Sequence, residues 1–161
     1  QRGNPTCQGG QVMKVYAVID TNVLVSALFA KRPDAAPVQI LERLFDRVII
    51  PMYNDEILAE YNEVLRRPKF PFPEDAIVWA VSAIIEAGID SERVPVEETA
   101  TDPKDVVFLE VAMSREDSFL VTGNTKHFPI IPRVVTPKEF LNILKALEND
   151  KNSNFAGDLN G

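Results

Sequence analysis

The sequence predicts one α/β domain, built as a three-layer α/β/α sandwich around a central, mainly parallel sheet. Short β-branched runs alternate with longer amphipathic segments, which is the pattern of strands joined by crossover helices. The first run, Val15–Ile19, is apolar throughout, as expected of a strand that is buried on both faces. With 161 residues, the chain has the length of about one domain.

The first half of the chain supplies two strands and three helices. Residues 23–29 are predicted to form a helix packed on the first strand, and Pro37 opens a second helix. Residues 48–51 form a second short strand. Asn54 or Asp55 then caps a long helix. The apolar residues of that helix recur at helical spacing: Ile57, Leu58, Tyr61, Val64 and Leu65.

The second half continues the alternation. A helix begins after Pro73 and ends at Gly88, which is predicted to be a left-handed cap. Residues 93–96 are interpreted as an edge strand, because a proline within them cannot donate to a ladder. Asp102 caps the next helix, and a strand with a tight exit at 122–124 follows it.

The last part of the fold is predicted to be one more short strand and a final helix. The segment Thr-Pro-Lys-Glu at 136–139 forms a capping box that opens this helix. The sequence therefore predicts that the domain closes on a helix rather than on a strand.

Composition excludes several classes of protein. The formal net charge is −7, with 24 acidic and 17 basic residues, so the chain does not hold nucleic acid through a large positive surface. No apolar run approaches the roughly 18 residues of a membrane span. Between the polar ends the chain has only Gly88 and Gly123, too few for a glycine-rich phosphate loop.

The two ends of the chain differ from its body. Residues 1–12 lack apolar periodicity and are interpreted as a tag remnant or upstream extension, with the domain itself at 13–147. Residues 148–161 are interpreted as a polar C-terminal tail. Cys7 is the only cysteine and lies in the extension, which leaves no thiol in the body and suits a reducing cytoplasm.

A carboxylate stands where the first strand ends. Asp20 follows the buried run directly, although burying an unpaired ionised group is costly. In parallel sheets, sites form outside the carboxyl ends of strands. Asp20 and the turn 122–124 both follow strands, so we expect them at the same edge of the sheet.

Two further acids and one amide are candidates for the same site. Glu60 lies on the flank of its helix's apolar stripe, whereas Glu56 and Glu63 point away from it. Asp105 lies in the first turn of a largely apolar helix, and Asn124 lies just past a strand. Oxygen ligands suit Mg²⁺ or Mn²⁺ rather than Zn²⁺, and such an ion would activate water against a phosphodiester.

The chain resembles the PIN domain family, in the group assigned as toxins of toxin-antitoxin systems. The matching segments are, in order, VIDTNVLVSAL, EILAEYNEVLRR, DPKDVVFLEVA and FLVTGNTKHFP, and they cover essentially residues 13–147. The resemblance implies a PIN-like α/β/α sandwich and a Mg²⁺- or Mn²⁺-dependent endoribonuclease in the cytoplasm. It also implies RNA as substrate, a cognate antitoxin protein as partner and, because PIN domains often pair, a homodimer.

The resemblance also assigns residues to the site. The implied metal-binding acids are Asp20, Glu60 and Asp105. The implied polar supports are Asn22 and Thr122. Many PIN domains have a fourth acid where this chain has Asn124, whose amide can still bind metal or water but weakens the case for a second ion.

Other interpretations of the same residues stay open. Asp20 and Asp102 could serve only as caps of the helices that follow them. An Asp after the first strand also suits a phosphatase or phosphotransferase with Asp20 as nucleophile, although Asn22 replaces the usual second acid. A third hypothesis is a catalytically decayed module that binds RNA or an antitoxin, because Asn124 replaces an acid.

Two residues that invite a functional role are left outside the site. His127 is a lone histidine beside Phe128, and such a residue is more often packing or solvated surface than a general base. Trp79 lies on a helix with other apolar residues and is expected in the core or at a dimer face rather than beneath a nucleic-acid base.

Overall fold

The architecture is that of a parallel α/β domain. The computed structural model describes residues 13–97 and 102–160, so the predicted extension at 1–12 and its Cys7 lie outside the described residues. The strands are β1 (Val15–Ile19), β2 (Ile49–Tyr53), β3 (Ile89–Asp90), β4 (Ser118–Val121) and β5 (Val134–Val135). They form one sheet in the order β3-β2-β1-β4-β5, and each neighbouring pair is parallel. The predicted α/β class with a parallel sheet is confirmed.

Helices connect the strands and flank the sheet. In chain order they are α1 (Thr21–Phe29), α2 (Ala36–Phe45), α3 (Asp55–Leu65), α4 (Glu74–Ala87), α5 (Pro103–Ala112) and α6 (Pro137–Asn160). Within residues 13–97 and 102–160, none of these helices has the length and apolar character that crossing a membrane requires.

Side-chain caps begin α3, α5 and α6 at the residues that the sequence indicates. The side chain of Asn54 accepts a hydrogen bond of 2.8 Å from the backbone N–H of Ile57, and Asp102 caps α5 in the same manner. At α6, Glu139 N–H donates to the Thr136 hydroxyl at 3.1 Å, while Thr136 N–H donates to the Glu139 carboxylate at 2.8 Å. Each contact satisfies a backbone donor that the first helical turn leaves unpaired.

The central strand β1 is the most deeply buried element. Ala17, Val18 and Ile19 have no exposed surface, because strands pair with β1 on both edges and helices cover it. The fully buried Tyr61 of α3 donates its hydroxyl to the backbone carbonyl of Ile19 at 2.5 Å. This bond fixes α3 against the carboxyl end of β1, where Asp20 follows.

The edge of the sheet beyond β2 differs from the prediction. The edge strand is Ile89–Asp90, and the interpretation of residues 93–96 as a strand is wrong. After β3 the chain turns toward α5, where Val94 N–H donates to the carbonyl of Glu110 at 3.2 Å. Pro95 has no N–H with which to continue a ladder.

Gly88 is required for close approach rather than for a left-handed turn. Its backbone is extended, with φ −106° and ψ −172°, so the predicted left-handed cap is wrong. A Cβ on Gly88 would overlap the carbonyl oxygen of Pro51 and lie 2.7 Å from that of Ile84. Glycine therefore lets α4 end directly against β2.

The last helix and the position of Trp79 both differ from expectation. The helix α6 continues to Asn160, past the predicted end of the domain at residue 147 and through the segment interpreted as a polar tail. Trp79 is 54% exposed and packs against Phe45 with the two rings tilted by 47° and their centroids 4.4 Å apart, so it is not a core residue. Val78 and Ile85, on the same helix α4, are also exposed.

Gly88→Ala is expected to lower the free energy of unfolding by more than about 2 kcal/mol, because the overlap involves backbone atoms that cannot rotate away. Urea denaturation measures this loss. Gly123→Ala is the comparison, since its new Cβ would first meet the Asn22 side chain, at 3.3 Å. A Gly88→Ala variant as stable as the wild type would show that α4 and β2 do not approach this closely.

Candidate active site

The topology creates a crevice at the carboxyl ends of β1 and β4. From β1 the chain proceeds to β2 on one side, whereas β4 pairs with β1 on the other side. Connections that leave neighbouring strands in opposite directions open a crevice at this edge, and ligands of α/β proteins bind there. Asp20 follows β1 and Thr122 follows β4, as expected from the sequence.

Asp20 is buried and accepts three hydrogen bonds. Only 6% of its surface is exposed. Its Oδ1 accepts from the backbone N–H of Thr21 at 2.8 Å, so Asp20 does begin α1, but this uses one of its two oxygens. Its Oδ2 accepts from the Thr122 hydroxyl at 2.7 Å and from the Asn22 amide at 3.2 Å. Capping alone therefore does not account for this side chain.

The same network joins the two strand ends. The side-chain amide oxygen of Asn22 accepts from Gly123 N–H at 2.9 Å, and the Thr122 hydroxyl accepts from Asn124 N–H at 3.0 Å. The carboxylate of Asp20 thus organises the exit of β4 across the sheet. Asn22 and Thr122 contact Asp20 directly, whereas Asn124 reaches it through its backbone and Thr122.

Glu60 and Asp105 stand near Asp20 on two other elements. Glu60 lies in the middle of α3 and Asp105 in the first turn of α5, and both are partly buried. The charges of both residues raise the pKa of Asp20, and the charge of Asp105 also raises that of Glu60. The structure therefore brings the three carboxylates within electrostatic reach of one another.

The pKa of each of these carboxyl groups is raised. Burial raises the pKa of Asp20 to about 6, against the lowering effect of its hydrogen bond from Thr122. Burial also raises the pKa of Glu60, which nearby Lys104 partly opposes. For Asp105, burial and the neighbouring Asp102 raise the pKa, and His127 opposes them. These shifts have the direction expected of acids that share a site without a bound cation.

The carboxylates suit a divalent ion by their chemistry rather than by forming a ready-made cluster. Within the described part of the chain, no three His, Cys, Asp or Glu side chains form a ready-made metal-binding group. The chemistry of the donors nevertheless suits Mg²⁺ or Mn²⁺: the carboxylates repel one another, and no cationic side chain contributes to the pKa of Asp20. Because Mg²⁺ usually keeps several of its waters, the acids need not all touch the ion.

Other charged residues lie apart from this edge or are engaged elsewhere. Asp117 pairs with Arg115 at 3.0 Å, at the start of β4 and hence at the opposite end of that strand. Glu110 pairs with Arg93 at 2.7 Å.

His127 lies closer to the acids than its sequence context indicates. Its Nδ1 is 3.4 Å from an oxygen of Asp105, and its side chain is 51% exposed. The residue belongs to a 3₁₀ turn, Thr125–His127, that follows Asn124 directly. The contact joins this turn to α5 and depends on how the two pack, so the sequence around His127 gave no local signal for it.

The chain is an α/β domain with a buried carboxylate in the crevice at the carboxyl ends of β1 and β4, and with two further acids beside it. The family model described as "PIN domain" matches residues 16–126, and the chain belongs to this family. The comparison with curated proteins gives no significant match. PIN domains are usually nucleases and typically use divalent metals, so the chain is a member of a nuclease family.

The raised pKa of Asp20 predicts a distinctive pH dependence of stability in metal-free buffer. The folded chain binds this proton more tightly than the unfolded chain, whose carboxyl has its ordinary pKa of 3.8. The resulting stabilisation is complete below pH 3.8 and is lost as the pH rises through about 6. It amounts to about 3 kcal/mol, at about 1.4 kcal/mol per pKa unit.

Asp20→Asn removes this titration, so the stability of the variant relative to the wild type should rise between pH 4 and pH 7. Urea denaturation of both proteins in EDTA measures the difference. Asp117→Asn is the control, because Arg115 lowers the pKa of the exposed Asp117 and the difference should not rise. A difference between Asp20→Asn and wild type that stays constant with pH would contradict the burial of an uncompensated charge.

Proposed function

We propose that the protein is a Mg²⁺- or Mn²⁺-dependent endoribonuclease that hydrolyses RNA phosphodiester bonds. The observation that carries this proposal is the set of three carboxyl groups at the crevice of a PIN domain, each with a pKa raised chiefly by burial, and with Glu60 and Asp105 close enough to Asp20 for their charges to raise its pKa further. Carboxylates held together at the cost of repulsion are a common arrangement for a hard divalent cation.

Asp20, Glu60 and Asp105 would hold the ion, with Asn124 as an additional oxygen donor. When bound, a divalent ion of this type neutralises charge on the phosphodiester and provides a nucleophilic water. Asn22 and Thr122 orient Asp20 through their hydrogen bonds to its Oδ2. This gives the carboxylate one orientation before any ligand arrives.

The surroundings of the acids offer room and local positive charge for a strand. An open cleft of about 530 Å³ between α3 and α5 is lined in part by Glu60, Lys104 and Phe108. Lys104 lowers the pKa of Glu60, which indicates that its ammonium group is close to the acid. In a protein with a net charge of −7, attraction of phosphate must come from such individual cations and from the metal.

The biological role proposed here is that of the toxin in a type II toxin-antitoxin pair, in the cytoplasm and with a cognate antitoxin protein as partner. Its support is family membership and the likeness of the four motif segments to toxin PIN domains. A homodimer is part of the same proposal, and the exposed Trp79 on α4 suits a surface between two copies.

The alternative in which Asp20 is a nucleophile has less support. Enzymes that use an Asp after the first strand as nucleophile usually have a second acid two residues on, and this chain has Asn22 there. The Asn22 amide instead donates to Oδ2 of Asp20 at 3.2 Å. A decayed binding module remains the competing hypothesis, because Asn124 stands where many PIN domains have an acid.

Glu60→Gln is expected to lower metal-dependent cleavage of single-stranded RNA by more than the 10-fold to roughly 100-fold that loss of an outer-shell partner costs. Asp55→Asn is the control, since Asp55 lies on the same helix, is exposed and does not line this cleft. Initial rates with labelled RNA in Mn²⁺ measure both variants. Equal activity of Glu60→Gln and the wild type would remove Glu60 from the site.

Calorimetric titration with Mn²⁺ separates the nuclease from the decayed module. The wild type should bind Mn²⁺ with a dissociation constant below millimolar, and Asp20→Asn should lose most of this affinity because one carboxylate charge is gone. Failure of the wild type to bind Mn²⁺ near millimolar concentration would favour the decayed module.

A further inference from the structure

The 3₁₀ turn that contains His127 is held against the acid site from both ends. His127 N–H donates to the carbonyl of Asn124 at 3.0 Å, and Asn124 is tied through Thr122 to Asp20. On the other side Phe128 is 5% exposed and anchors the turn in the core. The backbone of this turn is therefore held by the same network that holds Asp20.

The contact with Asp105 distinguishes the two ring nitrogens. Nδ1 of His127 lies 3.4 Å from Oδ2 of Asp105, and an ionised carboxylate can only accept a hydrogen bond. In the neutral imidazole the nearby carboxylate favours the proton on Nδ1, and Nε2 is then an acceptor. Asp105 is 18% exposed and the histidine 51% exposed, so the ring lies on the solvent side of the acid.

At this turn the outer ring nitrogen of the neutral His127 presents a hydrogen-bond acceptor toward solvent. Phosphate oxygens are acceptors as well and cannot pair with it. The sugar-phosphate backbone of RNA carries one donor per nucleotide, the ribose 2′-hydroxyl, whereas that of DNA carries none. Asp105 lies on the Nδ1 side of the ring, so Nε2 is the nitrogen left for a strand.

We propose that Nε2 of His127 accepts a hydrogen bond from a ribose 2′-hydroxyl and that this contact makes the site prefer RNA over DNA. The inference rests on the proposed ribonuclease function and adds a residue that selects the substrate. The contact needs the turn at 125–127 and the carboxylate of Asp105, both of which are in place without substrate.

Two substitutions separate the nitrogens of the ring. His127→Asn keeps an amide near the position of Nδ1 and loses the acceptor at Nε2, whereas His127→Gln extends an amide to the position of Nε2. Fluorescence anisotropy at pH 8 in Ca²⁺ gives the affinity of each protein for a short single-stranded RNA and for DNA of the same sequence. Gel analysis checks that the strands stay intact.

The wild type should bind RNA more tightly than DNA. His127→Asn should lose about threefold to tenfold of its RNA affinity, the effect of one neutral hydrogen bond, with DNA affinity unchanged. His127→Gln should keep most of the preference. Lys126→Gln, on the same turn, is the control, because loss of a cation should weaken RNA and DNA binding alike.

Two results would overturn the role of His127: no preference for RNA in the wild type, or an undiminished preference in His127→Asn. Cleavage of the same RNA by the wild type in Mn²⁺ is measured separately and tests the proposed function. Cleavage with an undiminished preference in His127→Asn contradicts only the role of the histidine. Absence of cleavage contradicts the ribonuclease itself.

Discussion

The burial of one carboxylate governs this structure. Asp20 ends the most deeply buried strand, and its oxygens accept from Thr21, Asn22 and Thr122. These bonds offset part of the desolvation, but burial still raises the pKa to about 6. A neutral residue could cap α1 at lower cost, and the buried charge is the feature on which the proposed metal site rests.

The fold places further polar and acidic residues beside this buried carboxylate. Parallel pairing of β1 with β4 places Asp20 beside Thr122, and the Tyr61 bond to Ile19 holds α3 against the end of β1. Glu60 on α3 is thereby carried to the crevice, and α5 brings Asp105 by its first turn. The stability of the domain and the geometry of its site therefore depend on the same contacts.

The sequence predicted what depends on local pattern and on the logic of parallel sheets. The class of fold, the caps at Asn54 and Asp102, and the placement of Asp20 at a strand end follow from periodicity and residue type. Prediction from the sequence failed where tertiary contacts decide the structure. Gly88 is needed because Pro51 approaches it, and the edge strand lies at Ile89–Asp90 rather than at residues 93–96. The nearness of His127 to Asp105 also depends on how a turn and a helix pack, which no local pattern encodes.

In the proposed metal site, a divalent cation relieves the repulsion among Asp20, Glu60 and Asp105. The most direct measurement is anomalous X-ray scattering from a crystal soaked in Mn²⁺. We expect an anomalous peak at the carboxyl ends of β1 and β4, between the oxygens of Asp20 and at least one of the two other acids. A well-ordered crystal with no manganese at this edge, and with Asp20 still bound only by its three protein donors, would contradict the account.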